Sequence, residues 1–175
     1  MKSTVSLWQL AGFAATSLVG TILHFLYEWT GGSILVAPFS GVNESTWEHM
    51  KLLFFPLFIF ALIQSRAFKE LKSFWCIKLI GTVTGLLMIP VLFYTYNGVF
   101  GSSPDFVNIA IFFISAAVVF LLETHLLKEE KPSCKYPGIA FALLCLIGIL
   151  FVIFTFITPQ IPLFRDPVTG TYGIK

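Results

Sequence analysis

Residues 41–64 read GVNESTWEHMKLLFFPLFIFALIQ, and the class of fold follows from them. Charged and polar residues crowd the first half, whereas residues 52–63 contain no charged residue. A helix that crosses a bilayer needs roughly 20 mainly apolar residues. Residues 46–64 therefore predict a membrane span that begins beside a polar segment.

The rest of the chain repeats this pattern. Of its 175 residues, 57% are hydrophobic and 11% are charged, whereas soluble domains have about 25% charged residues. Backbone groups in hydrocarbon must be hydrogen-bonded within their own segment, so long apolar runs are helices. We predict an all-α, polytopic membrane protein that forms a five-transmembrane-helix bundle within a single integral-membrane domain, residues 1–175. The predicted spans are 7–29, 46–64, 73–96, 105–127 and 136–158, and an outer tail covers 159–175.

The first span has an alternative interpretation as a signal peptide, because Lys2 precedes its apolar run. A signal peptide has a short apolar region followed by a small-residue cleavage site. This run is long, contains His24 and Glu28, and has no such site. A membrane span is the favoured interpretation.

Lysine and arginine residues predict the orientation. Loops rich in these residues stay in the cytoplasm. Loops 30–45 and 97–104 contain none. We therefore predict the N-terminus inside and the C-terminus outside. The basic residues beside the other span ends are Lys2, Arg66, Lys69, Lys72, Lys128, Lys131 and Lys135.

The three cysteines agree with that orientation. Cys76 and Cys134 fall on the predicted cytoplasmic side, and Cys145 lies within the fifth span. Cytoplasmic thiols are kept reduced. We therefore expect no disulfide.

One face of the first span changes from small to ionisable residues. Gly12, Thr16, Gly20, His24 and Glu28 are four apart, so they share one side of a helix. Small residues let another helix approach closely, and ionisable residues within a membrane usually face the bundle interior and mark function. We expect the last two side chains to face the start of the second span.

The start of the second span has a helix-capping pattern. Ser45 followed by Glu48 predicts a capping box, in which the serine hydroxyl accepts a backbone N–H and the glutamate reaches back. Asn43 is an alternative cap, and Lys51 is expected to extend to the lipid headgroups. His49 has no such capping role and is expected to meet the ionisable face of the first span. The candidate ligand-binding residues are His24, Glu28, Asn43, Glu44, Glu48, His49, Lys51, Asp105, Arg165 and Asp166.

The end of the fourth span and the tail allow two further predictions. Glu123 and His125 end the fourth span near lysines, which indicates interfacial residues in salt bridges. The tail is apolar and has an Asp166–Pro167 turn signal. We expect it to fold back over the polar cluster, with Arg165 or Asp166 reaching a residue of that cluster (Glu28, Glu48 or His49). The alternative is a flexible tail lying on the headgroups.

Two motifs resemble those of a known family. The segment NESTWEHMK, preceded by HFLYEW, and the ending PLFRDPVTGTYG fit the patterns NESxWEHxK and PLFxDPxTGxYG. They resemble a family of small bacterial multi-pass membrane proteins with a domain of unknown function. The resemblance implies a protein of the bacterial cytoplasmic membrane and no particular reaction.

Three functions fit these residues. The favoured one is a membrane protein whose outward-facing cluster binds a small polar ligand, an ion or a proton. The second is a metal-dependent membrane enzyme of the hydrolase type acting on a lipid or envelope substrate, with Glu44 or Asp105 as general base. The third is a structural or assembly subunit held together by a buried ion-pair network. The predicted metal ligands, for zinc or iron, are His24, Glu28, Glu48 and His49.

The partners follow from composition. The lipid bilayer is the expected surrounding, and a formal charge of +2 is too small to indicate nucleic acid. A second copy of the chain and another membrane protein are both left open as partners. No catalytic residue is assigned.

Overall fold

The computed structural model describes residues 2–174 and folds them into five α-helices. All five are long and apolar enough to cross a membrane. The prediction of an all-α bundle with five spanning helices is thus confirmed. Within residues 2–174, the only extended pairing is a single bridge between Arg165 and Tyr172. The helices are α1 (Lys2–Trp29), α2 (Thr46–Ala67), α3 (Phe74–Phe100), α4 (Asp105–Glu129) and α5 (Pro137–Phe156), and a 3₁₀ turn follows at Pro162–Phe164.

Helix α2 is the centre of the bundle. It contacts each of the other four helices. In its most apolar stretch 56% of the residues are buried, compared with 17% in α1 and 22% in α5. Helices α1 and α4 pack together on one side of α2, and α3 packs against both α4 and α5. The polar residues at the start of α2 are therefore surrounded by protein.

Small residues of α1 set its close approach to α2 and α4. A side chain at Gly12 would collide with the rings of Phe60 and Phe120, and one at Gly20 would collide with Phe112. Thr16, between these glycines, is fully buried. The predicted small-residue face of the first span is therefore the packing face of α1.

The two ends of the bundle differ in structure. We call the end that carries loop 30–45, loop 101–104 and residues 157–174 the tail end. The opposite end, with Lys2 and loops 68–73 and 130–136, is the amino end. The tail end has the longest connection, loop 30–45, which folds against the helices.

A buried ion pair lies near the amino end. Lys78 Nζ is 2.5 Å from Glu123 Oε2, and both side chains are almost fully buried. The expectation that Glu123 is an interfacial residue is therefore wrong. The reason is a missing side chain on the facing helix: a Cβ at Gly81 would lie 2.6 Å from the Glu123 carboxylate. The carboxylate fills that space and meets a lysine one turn away.

A disulfide joins Cys76 to Cys134 at the same end. The expectation of free thiols is wrong for this pair, whereas Cys145 is free. Cysteine position along the chain indicates a compartment but not proximity. The fold brings the two Cα atoms within 6.1 Å, a separation that a disulfide can bridge.

Candidate functional site

Loop 30–45 folds back onto the last turns of α1. The Ser40 hydroxyl donates to the Leu23 carbonyl at 2.5 Å and accepts the Tyr27 N–H at 2.8 Å. Those two backbone groups are four residues apart, so in an uninterrupted helix they would bond each other. The Gly41 N–H also reaches the Leu23 carbonyl. Ser40 thus fixes the loop to the helical turn that carries His24.

Hydrogen bonds then fix the entry into α2. The Ser45 hydroxyl accepts the Glu48 N–H at 3.4 Å, and Asn43 Oδ1 accepts the Ser45 N–H at 2.8 Å. The serine half of the predicted capping box is present. The glutamate half differs, because Glu48 Oε2 accepts the N–H of Val42 instead. Glu44 is held between these two capping interactions.

His24, Glu44 and His49 converge at the tail end. The His24 Nε2 atom lies 3.7 Å from Glu44 Oε1, and the His49 Nε2 atom lies 3.6 Å from Glu44 Oε2. The two imidazole centroids are 5.7 Å apart. One ligand atom from each residue falls within 4.8 Å of the others. We call these three residues the triad.

The geometry of the triad suits a metal ion. Bonds of about 2.0–2.1 Å to a tetrahedral zinc put ligand atoms about 3.3 Å apart, and each histidine here lies 3.6 or 3.7 Å from a Glu44 oxygen. His49 Nδ1 lies 3.0 Å from the Ser45 carbonyl oxygen, so Nδ1–H donates there and Nε2 keeps its lone pair. Metal-bound histidines are usually held in this way. Glu44 is 46% exposed, which leaves the triad accessible.

A cavity of about 190 Å³ adjoins the triad between α1, α2 and α4. His24 and His49 form part of its wall, and Asn108 of α4 lies in the wall as well. Asn108 Oδ1 accepts a hydrogen bond from Ser103 at 2.8 Å. Most other lining residues are apolar, so a molecule in this cavity would meet polar groups near the triad and hydrocarbon elsewhere. The lining residues other than His24, His49 and Asn108 are Gly20, Thr21, Phe25, Leu52, Ile109, Phe112 and Phe113.

Glu48 and Lys51 form a separate, buried pair. Lys51 Nζ lies 2.5 Å from Glu48 Oε2 and donates to the Ala37 carbonyl at 2.8 Å and to Thr155 Oγ1 at 3.1 Å. The expectation that Lys51 extends to the headgroups is wrong, because loop 30–45 and α5 cover it completely. The pair joins α2 to the loop and to α5, which is a structural role.

Glu28 and Asp105 lie apart from the triad. Glu28 is exposed at the end of α1, and Asp105 is exposed in the first turn of α4. Within residues 2–174 neither side chain forms an ion pair. Residues four apart on a helix with 3.6 residues per turn drift by about 40° each step. Over the four steps from Gly12 to Glu28 the drift is about 160°, so the end of that series leaves the packing face.

The tail folds back onto α2 and α5. Phe164 is buried against Trp47, with ring centroids 4.5 Å apart, and also contacts Phe154. Asn43 Nδ2 donates to the Gly173 carbonyl at 3.0 Å, which ties the tail to the segment beside Glu44. The tail therefore lies next to the triad rather than apart from the bundle.

Asp166 and Arg165 take part in turns of the tail itself. Asp166 accepts the Val168 N–H at 2.8 Å and the Thr169 hydroxyl at 2.7 Å, which forms the predicted Asp–Pro turn. Arg165 is exposed and donates from Nε to the Gly170 carbonyl at 3.4 Å. It makes no ion pair with Glu28 or Glu48 in the part of the chain from 2 to 174.

Almost the whole chain matches one known protein family. The model of a family of unknown function (DUF6512) matches residues 1–174. The chain belongs to this family. No curated protein matches it, and no solved structure matches it. Membership in DUF6512 covers the triad, the cavity and the tail together.

Sequence reasoning named all three triad residues as ligand candidates but grouped them differently. It placed Glu28 and Glu48 with the histidines, whereas the structure brings Glu44 to them. The helix cap was the available signal. Glu44 directly precedes the N-cap residue Ser45, and His49 follows Ser45 by four residues, so both lie at the start of α2. The cavity had no sequence signal, because its apolar lining resembles any lipid-facing surface.

Proposed function

We propose that this member of DUF6512 is a membrane protein that binds a divalent transition metal, zinc or iron, at His24, Glu44 and His49. The observation that carries the proposal is the convergence of two histidine Nε2 atoms on the two oxygens of one carboxylate, at 3.7 and 3.6 Å. Imidazole and carboxylate are the ligands that zinc and iron accept.

The three ligands come from separate segments. His24 belongs to α1, Glu44 to loop 30–45 and His49 to α2. Ser40 and Ser45 each hold one of these segments in place. A metal bound here would therefore hold loop 30–45 against both α1 and α2.

The buried pair of Glu48 and Lys51 already supplies a structural ion pair, so a structural role does not require the triad. The third hypothesis required an ion-pair network to join the helices, and Glu48 with Lys51 provides such a network. The triad shares no ion pair with it among residues 2–174. The two histidines and Glu44 are thus available for a ligand.

A second candidate function, a metal-dependent hydrolase, is favoured by the cavity beside the triad. Two histidines and one glutamate with a vacant fourth position are the ligand set of some catalytic zinc sites. The cavity wall includes both triad histidines, so a molecule bound there would lie beside the residues that would hold the metal. Of the two general bases predicted from the sequence, Glu44 is a metal ligand in this proposal, and Asp105 is exposed in the first turn of α4.

Metal content of the purified protein tests the proposal. The protein should be prepared with an affinity tag that contains no histidine, loaded with Zn²⁺, dialysed and measured by mass spectrometry for metal. We expect near-stoichiometric zinc in the native chain and a loss of at least about 100-fold in affinity in Glu44→Gln, since losing a supporting residue alone typically costs 10–100-fold. Cobalt substitution should give a visible spectrum of tetrahedral coordination.

Glu28→Gln is the matched control, because Glu28 is an exposed carboxylate one turn from His24. It should bind zinc like the native chain. Equal metal content in the native chain and in Glu44→Gln would contradict the proposal, provided that both variants unfold at the same temperature.

A further inference from the structure

The cavity has a polar end and an apolar end, arranged along the helices. His24, His49 and Asn108 mark the end nearest the tail end of the bundle. Gly20 lies one turn deeper on α1, and Phe112 lies one turn deeper on α4. In a membrane the polar end is therefore at the depth of the interface, and the apolar end points toward the middle of the bilayer.

Lining residues of α1 and α4 are exposed at the surface of the bundle, and we take the mouth of the cavity to lie between these two helices. Its rim residues Phe25, Ile109 and Phe113 are 41%, 58% and 37% exposed. They belong to two helices long and apolar enough to span a membrane, so their exposed faces meet lipid. Its floor is closed by Leu52 and Phe112, which are buried in the core. A molecule can enter from the bilayer without crossing the bundle.

The volume and lining select the kind of molecule. A buried cavity of about 150 Å³ lined by apolar side chains holds benzene, and this one has about 190 Å³. It can accept the upper part of one hydrocarbon chain but not a second chain. The polar wall contributes imidazole and amide groups only at one end. The occupant is thus an amphiphile that lies with its head at the triad.

The charge of the triad selects the headgroup. With a divalent ion and neutral histidines, Glu44 leaves one uncompensated positive charge. A zinc or iron site with three protein ligands keeps a fourth position for water or another oxygen ligand. An anionic oxygen group would fill this position and neutralise the charge. No acidic side chain lines the cavity among residues 2–174, so the cavity wall itself adds no negative charge.

We infer that the cavity binds one chain of a bilayer amphiphile whose carboxylate or phosphate head completes the coordination of the metal. The inference rests on the proposed metal site and adds the class of its ligand. The triad holds the head, and the groove between α1 and α4 holds the chain. Asn108 positions the head through its side-chain amide.

Photo-crosslinking tests the inference in the full chain. The protein is placed in phosphatidylcholine nanodiscs and loaded with zinc. The probes are a diazirine-bearing fatty acid and the fatty alcohol of the same chain length. We expect the acid to label residues 109–113 about tenfold more than the alcohol, because only the acid makes a charge-assisted contact. Removing zinc with a chelator should abolish that preference.

Two tryptophan variants separate the groove from general lipid contact. Ile109→Trp fills the rim of the cavity, whereas Phe106→Trp adds the same ring to a 70% exposed position of α4 outside the lining. The first should reduce labelling by the acid about tenfold, and the second should leave it unchanged. Both should retain zinc, because neither position belongs to the triad.

The outcomes distinguish this inference from the proposed function. Equal labelling by acid and alcohol in zinc-loaded protein, or equal labelling of the two tryptophan variants, indicates annular lipid contact only and overturns the inference while the metal site stands. Loss of zinc in Glu44→Gln together with preferential labelling by the acid supports both. Absence of zinc from the native chain overturns the metal site, and the headgroup assignment with it.

Discussion

His49 Nδ1 lies 3.0 Å from the carbonyl oxygen of Ser45, and the His49 N–H reaches the same oxygen at 3.2 Å. Two donors of one residue thus meet one acceptor in the first turn of α2. The imidazole is fixed in orientation, with Nε2 directed at Glu44. The Ser45 carbonyl therefore accepts a hydrogen bond in the first turn of α2 and also orients a ligand of the candidate metal site.

The pH dependence of zinc binding follows from the two imidazoles, which must be neutral to bind a metal. Protons compete with the metal ion for the two imidazole nitrogens as the pH falls. We expect the affinity for zinc to drop by roughly 10-fold or more between about pH 7.5 and 5.5. Calorimetric titration at both pH values measures the drop, and a constant affinity would exclude histidine ligands.

Lys51→Met should destabilise the protein. The substitution leaves the Glu48 carboxylate buried without its cation, which typically costs about 3–5 kcal/mol. Lys69→Met is the matched control, because Lys69 and Glu70 are 76% and 91% exposed and such pairs contribute about 0–1 kcal/mol. Unfolding in a detergent titration measures both. The double variant Glu48→Gln/Lys51→Met should regain part of the loss, and a double variant no more stable than Lys51→Met would contradict the pairing.

Ser40→Ala should loosen loop 30–45 from α1. It removes the hydroxyl that joins the Tyr27 N–H to the Leu23 carbonyl. The Tyr27 N–H then loses its acceptor, whereas the Leu23 carbonyl keeps the Gly41 N–H. Losing a hydrogen bond of this kind costs about 0.5–1.5 kcal/mol. Ser102→Ala, at an exposed position, is the control and should change the unfolding free energy by less than about 0.5 kcal/mol. Faster hydrogen exchange of the Tyr27 amide would confirm the local origin of the effect.

Phe164→Ala should release the tail. Phe164 is buried between Trp47 and Phe154, and truncating a buried phenylalanine costs about 3–5 kcal/mol. Val168→Ala, at a 77% exposed position, should have little effect. Limited proteolysis of sealed vesicles measures the release. Equal cleavage rates in the native chain and in Phe164→Ala would show that the tail does not depend on this contact.

The orientation of the bundle can be decided by reporter fusions after Lys72 and after Ile174. The basic loops predict that the amino end faces the cytoplasm, whereas a disulfide between Cys76 and Cys134 is typical of an oxidising compartment. We expect the fusion after Lys72 to report the cytoplasm and the fusion after Ile174 to report the other side. The reverse result would place the disulfide outside and overturn the predicted orientation. Reporters on the same side would contradict an odd number of spans.

The sequence alone determined the membrane class, the five helices and the supply of polar residues near the ends of α1 and α2. These are local properties, because length and hydropathy of each apolar run decide whether it spans a bilayer. The Ser45 cap is local as well, since the hydroxyl and the N–H it accepts belong to one turn.

Only the tertiary structure decided which polar groups meet. Glu44 joins the histidines because Ser40 fastens the loop to α1, whereas Glu28 is exposed at the end of α1. Lys51 is buried because Ala37 and Thr155 approach it from distant parts of the chain. Contacts of this kind depend on the paths of several segments at once, and no periodicity within one segment encodes them.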